Sequence, residues 1–178
     1  MLHPDYRFCP RCATPLTVQS SAGRDRNRCT ACNFVHWNNP APVVAALLQV
    51  GELILLARNA AWPPKTFALI TGFLEAGETP EAGIVREVKE ETNLDVEKTE
   101  LIGVYEFTRK NELIIAYHVI ASGTVELSEE LVEYRMVEPA RLKPWRAGTG
   151  LAVADWMRAR NLEVEFVDSP TRPARPAS

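Results

Sequence analysis

The stretch Gly72-Phe73-Leu74-Glu75-Ala76-Gly77-Glu78, followed after residues 79–85 by Arg86-Glu87-Val88-Lys89-Glu90-Glu91, decides how the chain is read. A helix is expected to begin at Thr79-Pro80. Threonine is a good N-cap, and proline suits the first helical position because its missing N–H would find no partner there. The helix should run to Glu91 or Thr92 and stop near Asn93. Glu87, Glu90 and Glu91 stand at i, i+3 and i+4, which at about 100° per residue confines them to one face. Like charges at these spacings repel by about 0.2–0.5 kcal/mol per pair. They also sit near the helix C-terminus, where the macrodipole disfavours anions. A hard divalent cation such as Mg²⁺ or Mn²⁺, which prefers oxygen ligands, removes that repulsion. Ala82, Val85 and Val88 form the opposite face, expected to pack on a sheet. Gly72 and Gly77 let the preceding loop approach a ligand, and Glu78 is placed to pair with Arg86. A solvated acidic face is the alternative; loop glycines, cap and carboxylates agreeing with one another favour the metal.

Working outward, Val43 to Val50 is a continuous apolar run, expected to be a buried strand. Leu53 to Ala57 follows across a Gly51-Glu52 turn. Thr66 to Thr71 is a short strand candidate. Leu101 to Thr108 and Leu113 to Ala121 are two more, joined by residues 109–112. Tyr134 to Val137 is a further extended piece. Residues 148–160 read as an amphipathic helix with Leu151, Ala154 and Met157 on one face. The expected class is α/β. No internal repeat is present.

Cys9-Pro10-Arg11-Cys12 and Cys29-Thr30-Ala31-Cys32 are paired CxxC units, a spacing that signals a four-thiolate zinc site. So short a segment buries too little apolar surface to fold alone, so the metal would supply the folding free energy. Four protein ligands leave no open position, which makes this Zn²⁺ structural and not catalytic. The expected organisation is a zinc ribbon over 1–36, a main domain over 37–167 that opens on the Pro40 and Pro42 connector, and a disordered tail over 168–178.

Of the 178 residues, 46% are hydrophobic and 24% charged, which excludes wholesale disorder. A net charge of −3 argues against a nucleic-acid partner. Arg24, Arg26 and Arg28 of the ribbon are the one basic edge that could serve such a partner, against a simple solvated face. No apolar run approaches the roughly 20 residues that span a bilayer, so no membrane partner is expected. The N-terminus has neither the basic start nor the apolar middle of a secretory signal, so a cytoplasmic location is expected.

Gly72 to Leu94 closely resembles the Nudix box, Gly-x5-Glu-x7-Arg-Glu-U-x-Glu-Glu-x-Gly-U, where U is a bulky aliphatic residue. Gly72, Glu78, Arg86, Glu87, Val88, Glu90, Glu91 and Leu94 match. Asn93 stands where the family has glycine, and asparagine is the next best residue in the left-handed conformation that ends a helix. Ile70 stands where many members carry proline. The resemblance implies an α/β/α sandwich with a mixed sheet, and Mg²⁺- or Mn²⁺-dependent hydrolysis of a nucleoside diphosphate linked to another moiety. It implies Glu87, Glu90 and Glu91 as metal ligands with the Gly72 carbonyl, Glu90 and Glu91 as catalytic, Glu78 as structural and Arg86 as positioning or substrate-binding. A general base often lies outside the box; Glu133 has a suitable spacing, Glu129 and Glu130 compete, and all three are equally readable as surface acids.

A four-cysteine ribbon ahead of such a domain resembles the NADH pyrophosphatase group and the shorter ADP-ribose and FAD pyrophosphatases. The Ser-Gln-Pro-Trp-Pro-Phe-Pro stretch of the NADH type is missing, which favours the shorter enzymes. The resemblance also implies a homodimer. Trp37, with Tyr105, Phe107 and Tyr117 behind it, is a candidate to clamp an adenine, against a plain core role for each. Two other functions fit the same residues: a non-catalytic nucleotide-sensing or nucleic-acid-binding module, and removal of nucleotide caps from RNA.

Overall fold

The computed structural model describes residues 6–168. The chain divides between Pro40 and Ala41 into two compact units. The division falls beyond the expected boundary at 36, because the first unit holds Trp37 by its own contacts. Arg26 Nη1 donates to the Trp37 carbonyl, and the same guanidinium lies over the indole ring. Of the expected tail, Asp168 is described and 169–178 lie outside the described residues.

The first unit is an antiparallel sheet of β1 (Thr17–Ser21), β2 (Arg24–Arg28) and β3 (Val35–His36), in that order. Ala22 and Gly23 both take positive φ, 50° and 74°, as a tight hairpin between right-twisted strands requires. Each CxxC is followed by a left-handed residue, Ala13 at φ 56° and Asn33 at φ 59°, which turns its pair of sulfurs inward. The apolar centre is small: Cys9, Leu16 and Cys29, with Cys32 and Phe34 packed against them.

The second unit contains β4 (Ala41–Val50), β5 (Leu53–Asn59), β6 (Ile70–Phe73), α1 (Pro80–Thr92), β7 (Asp95–Phe107), β8 (Glu112–Ser122), β9 (Leu131–Val137) and α2 (Thr149–Arg158). The sheet order is β7-β8-β4-β5-β9, with β6 also on β4. Only the β4–β8 pairing is parallel among these ladders, so the sheet is mixed. Val43, Ala45 and Leu47 of β4 face a core shared with Ala152, Trp156 and Met157 of α2. Val44, Ala46 and Leu48 face a second core with Ile84 and Val88 of α1. Both faces of β4 are covered, which is why Val43 to Leu48 is an unbroken apolar run. This is the expected α/β/α sandwich.

Three local expectations shift. The strand expected over Thr66 to Thr71 is Ile70–Phe73 instead, because β6 follows the start of β4 from Val43↔Phe73 to Ala46↔Ile70. That makes Gly72 and Phe73 strand residues, not loop residues. The strand expected from Leu101 begins at Asp95, since β7 tracks β8 through two register shifts that blur its alternation. On α1, Ala82 and Val85 are exposed, and the buried stripe is Gly83, Ile84, Glu87, Val88 and Thr92. On α2, Ala154 and Met157 are buried as expected, whereas Leu151 is only partly so.

The ends of α1 fall where the sequence puts them. Thr79 Oγ1 accepts from Ala82 N at 3.2 Å, Pro80 opens the helix, and Asn93 closes it in the left-handed region at φ 59°. Lys89 Nζ donates to the Asn93 carbonyl at 2.9 Å, a cation at the negative end of the dipole. Among the described residues, no helix is long and apolar enough to cross a membrane.

Candidate active site

Arg86 organises the acidic end of α1. Its Nη2 and Nε donate to Glu78 at 2.7 and 3.1 Å, a two-pronged pairing, and Nη2 also donates to the Phe73 carbonyl at 3.1 Å. Its Nη1 donates to Glu87 Oε1 at 2.7 Å and to Glu90 Oε2 at 3.0 Å. Glu78 in turn accepts from Glu75 N at 2.7 Å. One guanidinium thus fastens the end of β6 at Phe73 and the loop that follows, at Glu78, to the helix, and holds two carboxylates of the acidic face. Glu78 is held below the usual carboxylate range, first by its hydrogen bonds from Arg86 and then by the Glu75 amide.

Glu87 is buried, in the stripe that faces the sheet. Its carboxylate occupies the space a side chain at position 72 would need: a Cβ on Gly72 would lie 1.8 Å from Glu87 Cδ. The glycine therefore serves close approach of strand to carboxylate. Gly72→Ala is expected to drive the Glu87 carboxylate out of place and remove any activity that depends on it. A turnover assay checks this. A variant with undiminished turnover would contradict the contact.

Glu87, Glu90 and Glu91 line a cavity of about 550 Å³ with Glu112, Glu130 and Lys110. Glu130 arrives because the segment after β8 is tied across the end of α1. Glu126 N donates to Thr92 O at 3.0 Å and Ser128 N to Glu91 O at 3.1 Å. Glu91 is pushed up to about 7 by burial, then by the charges of Glu130, Glu87 and Glu90. The hydroxyl of Ser128, which also lines the cavity, is buried without a partner.

Glu133 lies elsewhere. It sits on β9 opposite Arg58 of β5, pairs with Arg58 Nε at 3.3 Å and Arg135 Nη2 at 3.5 Å, and does not line the acidic cavity. Strand alternation and these two cations explain its departure from the expected place. The structure brings Glu130 to the box carboxylates instead.

A second cavity shares Val43, Thr71, Lys110 and Glu112 with the first. It has a volume of about 180 Å³, and Trp62, Phe107 and Trp145 supply its aromatic walls. Arg109 and Lys110 both lie over the Phe107 ring, at 5.3 and 5.7 Å from its centroid. Of the aromatic residues singled out in the sequence, only Phe107 lines this cavity. Tyr105 and Tyr117 hydrogen-bond Asp155 and Glu81, at 3.0 and 2.9 Å. Trp37 belongs to the first unit and lines a separate cavity there. Trp62 and Trp145 carry no motif; they stand in loops beside Pro63 and Pro144, and only the fold brings them together.

In the first unit, the sulfurs of Cys9, Cys12, Cys29 and Cys32 all lie within 4.8 Å of one another, a cluster that could hold a metal ion. Cys9–Cys32 and Cys12–Cys29 are 3.5 Å apart and Cys12–Cys32 3.6 Å. These separations exceed a disulfide bond and approach the roughly 3.8 Å between sulfurs tetrahedral about zinc at 2.3 Å. Among the described residues no other such group meets that criterion. The box glutamates are more widely spread, with Arg86 Nη1 between two of them.

A mixed sheet between two helices, with a glycine-bearing strand leading through a loop to a carboxylate-bearing helix beside the start of β4, defines the Nudix class of fold. The chain belongs to the NUDIX domain family, whose model matches residues 39–156. Among similar proteins, the NAD-capped RNA hydrolase NudC of Pseudomonas aeruginosa is 31% identical over 131 residues, covering 71% of this chain and 45% of that protein. NudC of Mycobacterium tuberculosis is 32% identical over 119 residues, covering 66% of this chain and 37% of the relative. The chain thus spans less than half the length of these curated relatives. A NUDIX hydrolase from Nitrosomonas europaea shares the fold with a TM-score of 0.72 at 23% identity, over 92% of this chain and 99% of that one. The NUDIX domain of Shewanella oneidensis NrtR, solved with ADP ribose, gives 0.56 at 16% identity, over 68% and 88%.

Proposed function

We propose that the chain hydrolyses the diphosphate of a nucleoside diphosphate linked to a second moiety, of the ADP-ribose, FAD or NAD(H) class, to give two monophosphates. The observation that carries this is the convergence of Glu87, Glu90, Glu91 and Glu130 on one cavity, with Glu91 pushed up to about 7 by the company it keeps. So many carboxylates fit a hard divalent cation, and the orphaned Ser128 hydroxyl fits a polar ligand beside them. Glu87, Glu90, Glu91 and the Gly72 carbonyl would hold Mg²⁺ or Mn²⁺, which when bound neutralises diphosphate charge and makes a coordinated water more acidic.

The protein's own groups do the rest. Lys110, which lines both cavities, and Arg109, which lines the second, bind the anionic diphosphate. Trp62, Phe107 and Trp145 receive the flat ring of the organic moiety. Glu130, which lines the acidic cavity where Glu133 does not, accepts the proton of the attacking water. Arg86 positions Glu87 and Glu90 and keeps the loop closed on the helix. In the ribbon, four thiolates fit Zn²⁺, and thiols kept for a metal fit a reducing compartment.

Removal of a nucleotide cap from RNA is a second reading, favoured by the NudC relatives; it is the same cleavage with an RNA 5′-monophosphate as one product. Incubation with ADP-ribose, FAD, NAD⁺, NADH and NAD-capped RNA in Mg²⁺, with products identified by mass, tests both. Two monophosphates from at least one compound support hydrolysis; no turnover of any overturns it.

The raised Glu91 also sets a pH dependence. Its stabilising contribution is complete below the unfolded value of about 4.5 and is lost as pH rises through the folded value of about 7. The Tm of metal-free protein is therefore expected to fall across this window, and saturating Mg²⁺ to raise Tm more at pH 8 than at pH 5.5. Glu91→Gln should flatten both trends; a melt series with and without Mg²⁺ checks this.

A further inference from the structure

Charge is distributed unevenly along this acidic chain. Residues 6–40 hold five arginines, no lysine and one aspartate, against a net −3 for the whole. Even a zinc tetrathiolate, with its two negative charges, leaves this unit positive. Arg24, Arg26 and Arg28 alternate along β2 and share one face of its sheet. Arg26 Nε is buried with no partner, an unsatisfied cationic N–H. Its guanidinium lies 4.7 Å from the ring centroid of Trp37, which is 49% exposed. Arg24, Arg26, His36 and Trp37, with Asp25, line one cavity of about 220 Å³.

We infer that this face of the ribbon binds single-stranded nucleic acid, with phosphates on the row Arg24, Arg26 and Arg28 and a base stacked at Trp37. Alternate residues of a strand stand about 6.8 Å apart, comparable with the step between phosphates on an extended nucleotide chain. Arginine is suited to both tasks, since its planar fork grips phosphate and stacks on rings. An accessible indole beside such a row is the pattern of sequence-tolerant single-strand binders. The register puts Ser21, Gln19 and Thr17 of β1 opposite these arginines. Those polar neighbours suit a nucleotide backbone and not a lipid surface. The inference is independent of the hydrolytic reading, because it uses no residue of the acidic cavity.

The test is fluorescence anisotropy of labelled 12-mers of oligouridylate and oligothymidylate with the full chain, without divalent cation, between 50 and 200 mM salt. Three phosphate contacts predict a slope of about −2 for log affinity against log salt. The triple variant R24A/R26A/R28A is expected to lose at least about tenfold in affinity and most of that slope. Trp37→Ala should weaken binding about tenfold with the slope kept. Zinc content equal to the parent's certifies the fold of each variant, and turnover of a free dinucleotide should be unchanged in the triple variant. Stronger binding to oligouridylate would identify RNA as the ligand, and equal binding would assign recognition to phosphate and base alone; both support the proposal. Unchanged affinity in both variants, equal affinity for duplex, or binding to phosphatidylserine vesicles but not oligonucleotides overturns it.

Discussion

Glu91→Gln is expected to lower kcat on the compound turned over by at least about 10²-fold while leaving KM within a few-fold. Removing one group that stabilises developing charge costs about that much, and loss confined to kcat marks an interaction made in the transition state. Glu91 carries the expectation because burial and three neighbouring carboxylates act on it at once. Glu130→Gln should also cost about 10²-fold or more, as loss of a general base does. Glu133→Gln should stay within about threefold, since Glu133 is occupied by Arg58 and Arg135. Steady-state kinetics on the three variants separate the roles: a collapse at Glu133 with Glu130 silent would return the base to β9.

The other large effect concerns the cysteines. Cys29→Ser is expected to abolish the ordered fold of the first unit and the binding of the zinc proposed for its four cysteines. Structural zinc sites contribute about 10–16 kcal/mol of apparent binding free energy to folding. Among the described residues the unit's own centre is Cys9, Leu16 and Cys29 with two partly buried companions, too little to compensate. Limited proteolysis should then cut readily within residues 6–40, and atomic absorption should find no zinc where the parent holds about one per chain. The second unit should keep its cooperative melt, because both its cores consist of its own residues. A metal-free variant as protease-resistant as the parent would contradict the structural reading.

Much of this was legible in the sequence because it rests on short-range chemistry. Thr79, Pro80 and Asn93 mark the ends of α1 by rules that act within one turn. The run from Val43 to Leu48 announces a strand buried on both faces. Paired CxxC units aim sulfurs locally, whatever surrounds them.

What the sequence hid depends on contacts between distant elements. Glu87 reads as one of three solvent-side acids, yet it lies in the stripe facing the sheet, and only a glycine at 72 makes room for it. Standing opposite the glutamates points Ala82 and Val85 at the core; the buried stripe is rotated from that face because Glu87 itself takes part in it. Glu130 and Glu133 cannot be told apart by composition. Two backbone bonds, from Glu126 and Ser128 to the last turn of α1, bring Glu130 to the cavity. Trp62 and Trp145 meet Phe107 only after the sheet has formed.

The central claim is that the carboxylate face of α1 exists to hold a divalent cation. Mn²⁺ titration of the full chain, followed by the paramagnetic resonance of the free ion, tests it most directly. Saturable binding that is lost in Glu87→Gln, Glu90→Gln and Glu91→Gln, with turnover rising in step with occupancy, is the predicted result. Turnover that proceeds in excess chelator, or Mn²⁺ binding undiminished when all three glutamates are replaced, would contradict it.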